Sequence, residues 1–163
     1  MKSITGLVGF FLMISTSVMA DSGRFGSDDV ASPEALTRAL HEWASTTVAD
    51  RLNLDDLFFL MHPDSMAILV EAGNDSSPVQ VERRLLREWF TGLDCIDPQG
   101  WIETIVDLKV EKQGFLANAW AQYEVRHSAD GPIIRKGITN LQLFADGERW
   151  WGLGWTDTPI FDH

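Results

Sequence analysis

Three side chains have the types and positions that acid–base chemistry needs. Tyr123 is the single tyrosine of the chain, and it lies on the apolar side of an alternating segment. A phenol there could donate a hydrogen bond to a ligand carbonyl, or it could bond a core carbonyl or a helix residue instead. Asp64 and His62 flank Pro63, and either could serve as a general base. The same triplet also suits a helix stop followed by a turn-capping aspartate, so both interpretations stay open.

The sequence does not support metal, phosphate or thiol chemistry. The four histidines lack the spacing of a zinc site such as H-x-x-x-H. Neither a glycine-rich phosphate loop nor a Gly-x-Ser-x-Gly elbow is present, so we expect no metal and no cofactor. Cys95 is the single cysteine, which excludes a disulfide within the chain. Its acidic neighbours disfavour the thiolate and argue against a nucleophile.

Length and charge narrow the class of protein. The chain has 163 residues, an apolar fraction of 45% and a formal net charge of −11. This length suits one globular domain. The acidic balance argues against nucleic acid or an anionic membrane surface as the partner, because both attract clustered Lys and Arg.

The first 20 residues have the layout of a secretory signal peptide. Lys2 precedes an uncharged stretch from Ile4 to Val18, and Val18-Met19-Ala20 forms a small-residue cleavage site. We expect cleavage after Ala20, a periplasmic or secreted location, and no membrane attachment afterwards. The alternative is an uncleaved anchor, but the apolar run of about 15 residues is shorter than the roughly 20 that a spanning helix needs. Residues 21–31 are polar and predict a flexible leader.

Helical signals come early in the remaining chain, which we expect to form one domain over residues 32–158 with a tail at 159–163. Ser32-Pro33-Glu34 combines an N-cap, a proline at the first helical position and an early acid. A second helix is predicted from about Leu54 to Met61. Ser65–Glu71 predicts a short strand. Ser77-Pro78 opens a third predicted helix, which Gly92 ends.

After Gly100 the apolar period changes from helical to alternating, which predicts four long antiparallel strands joined by tight turns. Helices followed by a meander predict an α+β fold with the helices on one face of the sheet. We expect the inward side chains to be Ile102, Thr104, Val106, Leu108, Val110, Ala117, Ala119, Ala121, Tyr123, Val125, His127, Ile133, Gly137, Thr139, Leu141, Leu143, Trp151, Leu153 and Trp155. This set contains no Asp or Glu. The strand acids Glu103, Asp107, Glu111 and Glu124 are expected to face outward, and His41 of the first helix is expected at the surface.

Several segments resemble nuclear transport factor 2-like proteins, also called SnoaL-like. They are Leu116–Glu124, Gly137–Leu143, Asp146-Gly147, Trp151–Thr156 and His62-Pro63-Asp64. The resemblance spans about residues 32–158 and implies three helices packed in a strongly curved antiparallel sheet. That shape is a cone, or cystatin-like α+β roll, with an apolar pocket at its open end. Enzymes of this kind that move a proton beside a carbonyl use a pocket aspartate as base.

We expect the pocket to be lined by Tyr123, Thr139, Leu141, Trp151 and Trp155 and closed by Leu57, Phe58 and Met61. A lining without an acid suits an exported protein that binds a small apolar molecule. The alternatives are an isomerase or dehydratase (a lyase) using Tyr123 with Asp64 or His62, and a dimeric interaction module with a filled pocket. An open cavity with a carboxylate about 3–5 Å from Tyr123 would favour catalysis.

The outer face of the sheet is the candidate interface. Trp120 and Trp150 fall on the predicted outward set beside Gln122 and Asn140. An outward tryptophan is either covered by the stem of a basic side chain or buried against a partner. The resemblance implies dimerisation through this face, so we expect a homodimer.

Overall fold

The computed structural model describes residues 23–48, 50–71, 79–93 and 95–160. The predicted signal peptide, residues 1–20, lies outside the described residues. A short 3-10 helix at Ser27–Val30 comes first. It is followed by α1 (Pro33–Ala44), α2 (Leu54–Leu60), β1 (Met61–Glu71), β2 (Gln80–Leu85), α3 (Leu86–Phe90), β3 (Ile102–Gln113), β4 (Leu116–Arg126), β5 (Arg135–Ala145) and β6 (Trp150–Pro159).

The strands form one open, curved sheet in the order β2-β1-β6-β5-β4-β3. β1 and β6 pair in parallel, and the other neighbours pair antiparallel. The helices pack against the concave side, so the predicted α+β class is confirmed.

α1 forms as its capping sequence predicts. The Ser32 side chain accepts a hydrogen bond from the Ala35 amide at 3.1 Å, and Pro33 occupies the first turn. Leu36, Leu40 and Trp43 are buried on one side of the helix. Burying each such side chain stabilises the fold by about 1.5–3 kcal/mol. The apolar side of α1 is therefore a main part of the hydrophobic core.

The chain before α1 packs on the domain. Phe25 and Val30 are buried at 5% and 3% exposure. Part of the segment that we predicted as a flexible leader therefore belongs to the core, because two apolar side chains in a polar sequence were enough to anchor it.

The predicted third helix is largely wrong. Its opening motif lies outside the described residues, and residues 80–85 pair with β1 as strand β2. Only Leu86–Phe90 is helical. Pairing of the backbone with β1 outweighs helix propensity here, which is a weak determinant.

β1 also begins earlier than predicted, at Met61 rather than Ser65. Pro63 is tolerated because the pairing of β1 with β6 is interrupted between Met61 and Met66, where no ladder hydrogen bond from residue 63 is needed.

A bulge in β3 changes which side chains face inward. The pairing of β3 with β4 shifts between Ile105 and Asp107. On the near side of this shift, Glu103 pairs with Val125 and Ile105 with Tyr123, so the carboxylate of Glu103 faces the interior. Our assignment of Glu103 to the outward set is therefore wrong, because one extra residue reverses the alternation. Val106 is 55% exposed, and Leu108 and Val110 face inward as predicted.

A second bulge has the same effect in β6. Gln142 pairs with Gly154 and Leu143 with Gly152, which leaves Leu153 unpaired and exposed. Trp150 is therefore buried in the core at 6% exposure, and its predicted place in the outer interface is wrong.

β4 keeps strict alternation. Its inward residues are buried as predicted: Ala117, Ala119, Ala121, Tyr123 and Val125.

Candidate functional site

A cavity of about 270 Å³ lies between the sheet, α1 and α3. Most of its wall is apolar. That part consists of Ala44, Ala67, Ile68, Leu69, Leu86, Trp89, Phe90, Leu93, Ile96, Trp101 and Trp155. Four polar side chains complete the lining: Glu103, Tyr123, Arg135 and Asp157. Such a cavity, mainly apolar with a few convergent polar groups, is typical of a small-molecule site.

Three of the polar residues form one hydrogen-bonded group. The Tyr123 hydroxyl donates to Asp157, with distances of 2.7 Å to Oδ1 and 3.0 Å to Oδ2. Arg135 Nη2 donates to Asp157 Oδ2 at 2.9 Å. The residues come from the neighbouring strands β4, β5 and β6, whose register sets Thr139 opposite Asp157 and Gly137 opposite Tyr123.

Burial shifts the pKa values of two of these side chains, Asp157 and Tyr123. It raises the pKa of Asp157 above the ordinary value, although the Tyr123 hydrogen bond and the Arg135 charge act in the opposite direction. Burial and the nearby Asp157 carboxylate also raise the pKa of the Tyr123 hydroxyl. Tyr123 is therefore a hydrogen-bond donor and not a base, whereas Asp157 is the group that can take and return a proton.

A second buried pair holds the other acid of the cavity. His41 Nδ1 lies 2.5 Å from Glu103 Oε2, and the indole of Trp101 donates to Glu103 Oε1 at 2.7 Å. The side chains of His41 and Glu103 are only 3% and 6% exposed. Ser45 braces the pair, because its hydroxyl accepts from the Glu103 amide and donates to the His41 carbonyl. Our expectation of His41 at the surface is wrong.

The aromatic rings connect the two groups. The His41 ring lies 5.3 Å from the Tyr123 ring and 6.4 Å from the Trp155 ring, measured between centroids. His41 Nε2 is buried and has no hydrogen-bond partner among the described residues. The two acidic groups therefore belong to one continuous polar region at the end of the cavity.

The predicted pocket residues are only partly brought together. Tyr123 and Trp155 line the cavity. Thr139 and Leu141 are buried in the core and are not among the lining residues. Leu57 and Met61 are core residues and Phe58 is half-buried, and none of the three is among the lining residues.

The other two candidate bases lie elsewhere. Asp64 is exposed, and its amide donates to His62 Nδ1 at 3.2 Å. The His62 ring packs edge-on against Phe144 and Trp151. Neither Asp64 nor His62 lines the cavity, which fits the helix-stop alternative better than a catalytic one.

Trp151, another predicted pocket residue, does not line the cavity. Its indole donates to Asp146 at 2.7 Å and its ring lies under Arg149. That hydrogen bond and two backbone amides lower the pKa of Asp146 to about 2. The bulge at Leu153 explains the outward position of Trp151.

The sequence reasoning missed Glu103, Asp157, Arg135 and His41. Asp157 had a signal, because it stands two residues after Trp155, the last residue of the expected inward set, and continues its alternation. Glu103 had none, since a bulge within a long strand leaves no clear mark in one sequence.

Within the described part of the chain, no group of three or more His, Cys, Asp or Glu could hold a metal ion. Of the helices that the structure describes, none is long and apolar enough to cross a membrane.

Comparison with known proteins rests on structure. Neither a protein-family model nor a curated protein sequence matches the chain. Among solved structures, an NTF2-like protein of unknown function from Shewanella baltica OS155 aligns with a TM-score of 0.51 at 8% identity, covering 78% of this chain and 90% of its own. The chain has the nuclear transport factor 2-like (NTF2-like) fold.

Two further structures with this fold carry names that suggest activities or assembly. A candidate ketosteroid isomerase from Shewanella frigidimarina NCIMB 400 gives a TM-score of 0.52 at 14% identity, covering 75% of this chain and 90% of its own. A candidate calcium/calmodulin-dependent protein kinase type II association domain from Thiobacillus denitrificans gives 0.55 at 10%, covering 81% and 98%. At these identities the likeness establishes the NTF2-like fold alone.

Proposed function

We propose that the cavity binds a small, mostly apolar molecule and that Asp157 exchanges a proton with it, as in an isomerase or a dehydratase. One observation carries this proposal: a largely buried carboxyl, 19% exposed and with a raised pKa, lines the cavity 2.7 Å from the Tyr123 hydroxyl. A carboxyl whose pKa moves toward working pH is a better general base than an ordinary one. Asp157 therefore takes the role of base that the isomerase or dehydratase alternative assigned to Asp64 or His62.

The neighbouring groups support a stepwise proton transfer. Asp157 takes a proton from a carbon beside a ligand carbonyl, and the electrons of that C–H bond form a C=C bond while the carbonyl pair moves to oxygen. The Arg135 guanidinium lines the cavity and can donate a hydrogen bond to that oxygen. In an isomerisation Asp157 returns the proton to another carbon. In a dehydration it gives the proton to a leaving hydroxyl, which departs as water.

The fold supports the same class of reaction. A candidate ketosteroid isomerase shares it, and an isomerase of that name moves a proton beside a carbonyl. The fold also hosts proteins of unknown function, and the acid–base assignment therefore rests on Asp157 and its partners.

Binding without turnover is the second candidate. Both oxygens of Asp157 already accept hydrogen bonds from Tyr123 and Arg135. A carboxylate satisfied in this way can shape a binding site without acting as a base. A filled pocket, the basis of the interaction-module alternative, is disfavoured by the open volume of the cavity.

We also propose that the protein is exported and forms a homodimer. Export rests on the layout of residues 1–20, and sequencing of the mature chain from fractionated cells should find Asp21 or a residue near it as the new N-terminus. Full-length chain in the cytoplasm would contradict export. Dimerisation rests on Trp120, which is 48% exposed beside the exposed Gln122 and the half-buried Asn140, and on the association domain that shares the fold.

The catalytic proposal can be tested with 2-tetralone, a bicyclic ketone with acidic C–H bonds beside its carbonyl. Proton NMR in D₂O follows loss of those signals with and without the protein. We expect the protein to accelerate deuterium exchange over buffer at the same pD. Binding seen by saturation transfer, without faster exchange, would replace catalysis by the binding candidate, and neither binding nor exchange would reject both.

A further inference from the structure

The polar end of the cavity has an uneven balance of charge. Two acids line it, Glu103 and Asp157, together with one guanidinium, Arg135. That guanidinium contacts Asp157 at 2.9 Å. Asp157 therefore has a partner with a permanent positive charge. Glu103 is the second negative charge at this end of the cavity.

Glu103 is held by groups that carry no permanent charge. Its carboxylate receives hydrogen bonds from the indole of Trp101 at 2.7 Å and from His41 Nδ1 at 2.5 Å. Among the described residues, His41 is the one basic group that forms an ion pair with Glu103, and an imidazole carries a charge only when it is protonated. Glu103 is therefore a buried carboxylate without a permanently charged partner in this part of the chain, and such a carboxylate is unfavourable unless further groups pair with it.

The walls beside Glu103 also favour a cation. Trp155 and Phe90 line the cavity together with Trp101 and Trp89, whose rings already face the guanidinium groups of Arg135 and Arg84. The faces of aromatic rings attract positive charge, most strongly once water is excluded. A flat apolar molecule with one positively charged nitrogen would satisfy both the rings and the carboxylate.

We infer that the polar group of the ligand that meets Glu103 is an ammonium, so that the cavity selects small aromatic or alicyclic amines over the matching carboxylic acids. This inference rests on the proposed function, because it names the class of molecule that the cavity takes. Glu103 is then a specificity residue that contacts the ligand, and His41 is a positioning residue that acts through Glu103.

Three probes with one ring system test the selection. Naphthalen-2-ylmethanamine is a cation at pH 7, naphthalen-2-ylmethanol is neutral and naphthalene-2-carboxylate is an anion. Isothermal titration calorimetry of the full protein should give binding of the amine at least about tenfold tighter than of the carboxylate, since the Glu103 carboxylate attracts the ammonium and repels the anion. The alcohol should lie between them. Equal affinities, or a preference for the carboxylate, would overturn the inference without any variant.

A pair of variants then assigns the selection to Glu103. Glu103→Gln keeps the shape and an acceptor oxygen, and it should reduce the preference for the amine over the carboxylate by about tenfold. Glu111→Gln is the matched control, because Glu111 lies on the same strand but is 60% exposed and pairs with Lys109. An amine preference that survives in Glu103→Gln, with its near-UV circular dichroism intact, would contradict the assignment.

The outcomes separate this inference from the proposed function. If all three probes bind with no preference for the amine, the cavity is a small-molecule site and only the charge selection fails. If none binds at millimolar concentration, the small-molecule site itself fails and the inference fails with it.

Discussion

Gly137 lies directly opposite Tyr123 on the neighbouring strand, and a Cβ atom on Gly137 would come within 2.4 Å of the Tyr123 hydroxyl oxygen. Because Gly137 has no side chain, the Tyr123 ring can lie over it and its hydroxyl can reach Asp157. The geometry of the acid–base group depends on this glycine as much as on the residues that carry charge.

Gly137→Ala should displace the Tyr123 ring and weaken its hydrogen bond to Asp157. We expect a loss of about 1–3 kcal/mol in the free energy of unfolding, as overpacking in a well-packed region produces. Urea denaturation measures it. Gly26→Ala is the control, because a Cβ there meets nothing within 4 Å and its φ is −132°. Equal effects of the two substitutions would contradict the role of Gly137.

The raised pKa of Asp157 makes the stability depend on pH. Because the folded protein binds this proton more tightly than the unfolded chain does, the contribution of Asp157 is greatest below its ordinary pKa of 3.8. It declines as pH rises through the higher pKa of the folded state. The stability of the wild type relative to Asp157→Asn should therefore fall as pH rises above 3.8, and it should level off above the raised pKa of the folded state.

Denaturation of both proteins at a series of pH values measures this difference. Other acids, such as Asp146 with its lowered pKa, are present in both proteins and cancel. A relative stability that rises with pH would mean that the Arg135 charge outweighs burial, and that Asp157 is an ordinary ion-pair partner.

The bulge in β6 decides which tryptophan supports the core. Trp150 is 6% exposed and Trp120 is 48% exposed. Trp150→Ala should cost about 3–5 kcal/mol, as the loss of a buried aromatic ring does. Trp120→Ala should cost less than about 1 kcal/mol in the monomer. Thermal or urea unfolding of the two variants compares them, and the opposite order would show that the register of β6 is misassigned.

Trp120 should act in association instead. Introducing a charge by Trp120→Glu on the outer face of the sheet should convert a dimer into a monomer, because an unpaired charge is costly inside an interface. Sedimentation velocity at micromolar concentration reads the change directly. A wild-type protein that is already monomeric would reject the dimer.

Much of the fold could be predicted from the sequence, and the reasons are local. Ser32 caps α1, and alternation places every inward residue of β4 correctly. The candidate site was harder to predict, because its acids depend on features that act at a distance. Glu103 turns inward through a bulge that only pairing with β4 reveals. Arg135 and His41 acquire their roles from partners 22 and 62 residues away in sequence.

Asp64 does not line the cavity, although its sequence position favours a role as a pocket acid. It stands beside His62 at a predicted helix–strand junction. The structure leaves Asp64 exposed, and only its amide contacts His62. The acid–base group of the cavity comes instead from three separate strands, which supply Tyr123, Arg135 and Asp157.

The role of Asp157 as the base is tested by comparing two aspartates in one assay, deuterium exchange into 2-tetralone. Asp157→Asn removes the proposed base and keeps its size, whereas Asp64→Asn removes an exposed acid outside the cavity. We expect Asp157→Asn to lower the exchange rate by about a hundredfold or more, the usual contribution of a positioned base, while Asp64→Asn leaves it unchanged. Exchange that persists in Asp157→Asn, or that is lost in Asp64→Asn with the fold intact, would show that Asp157 is not the base.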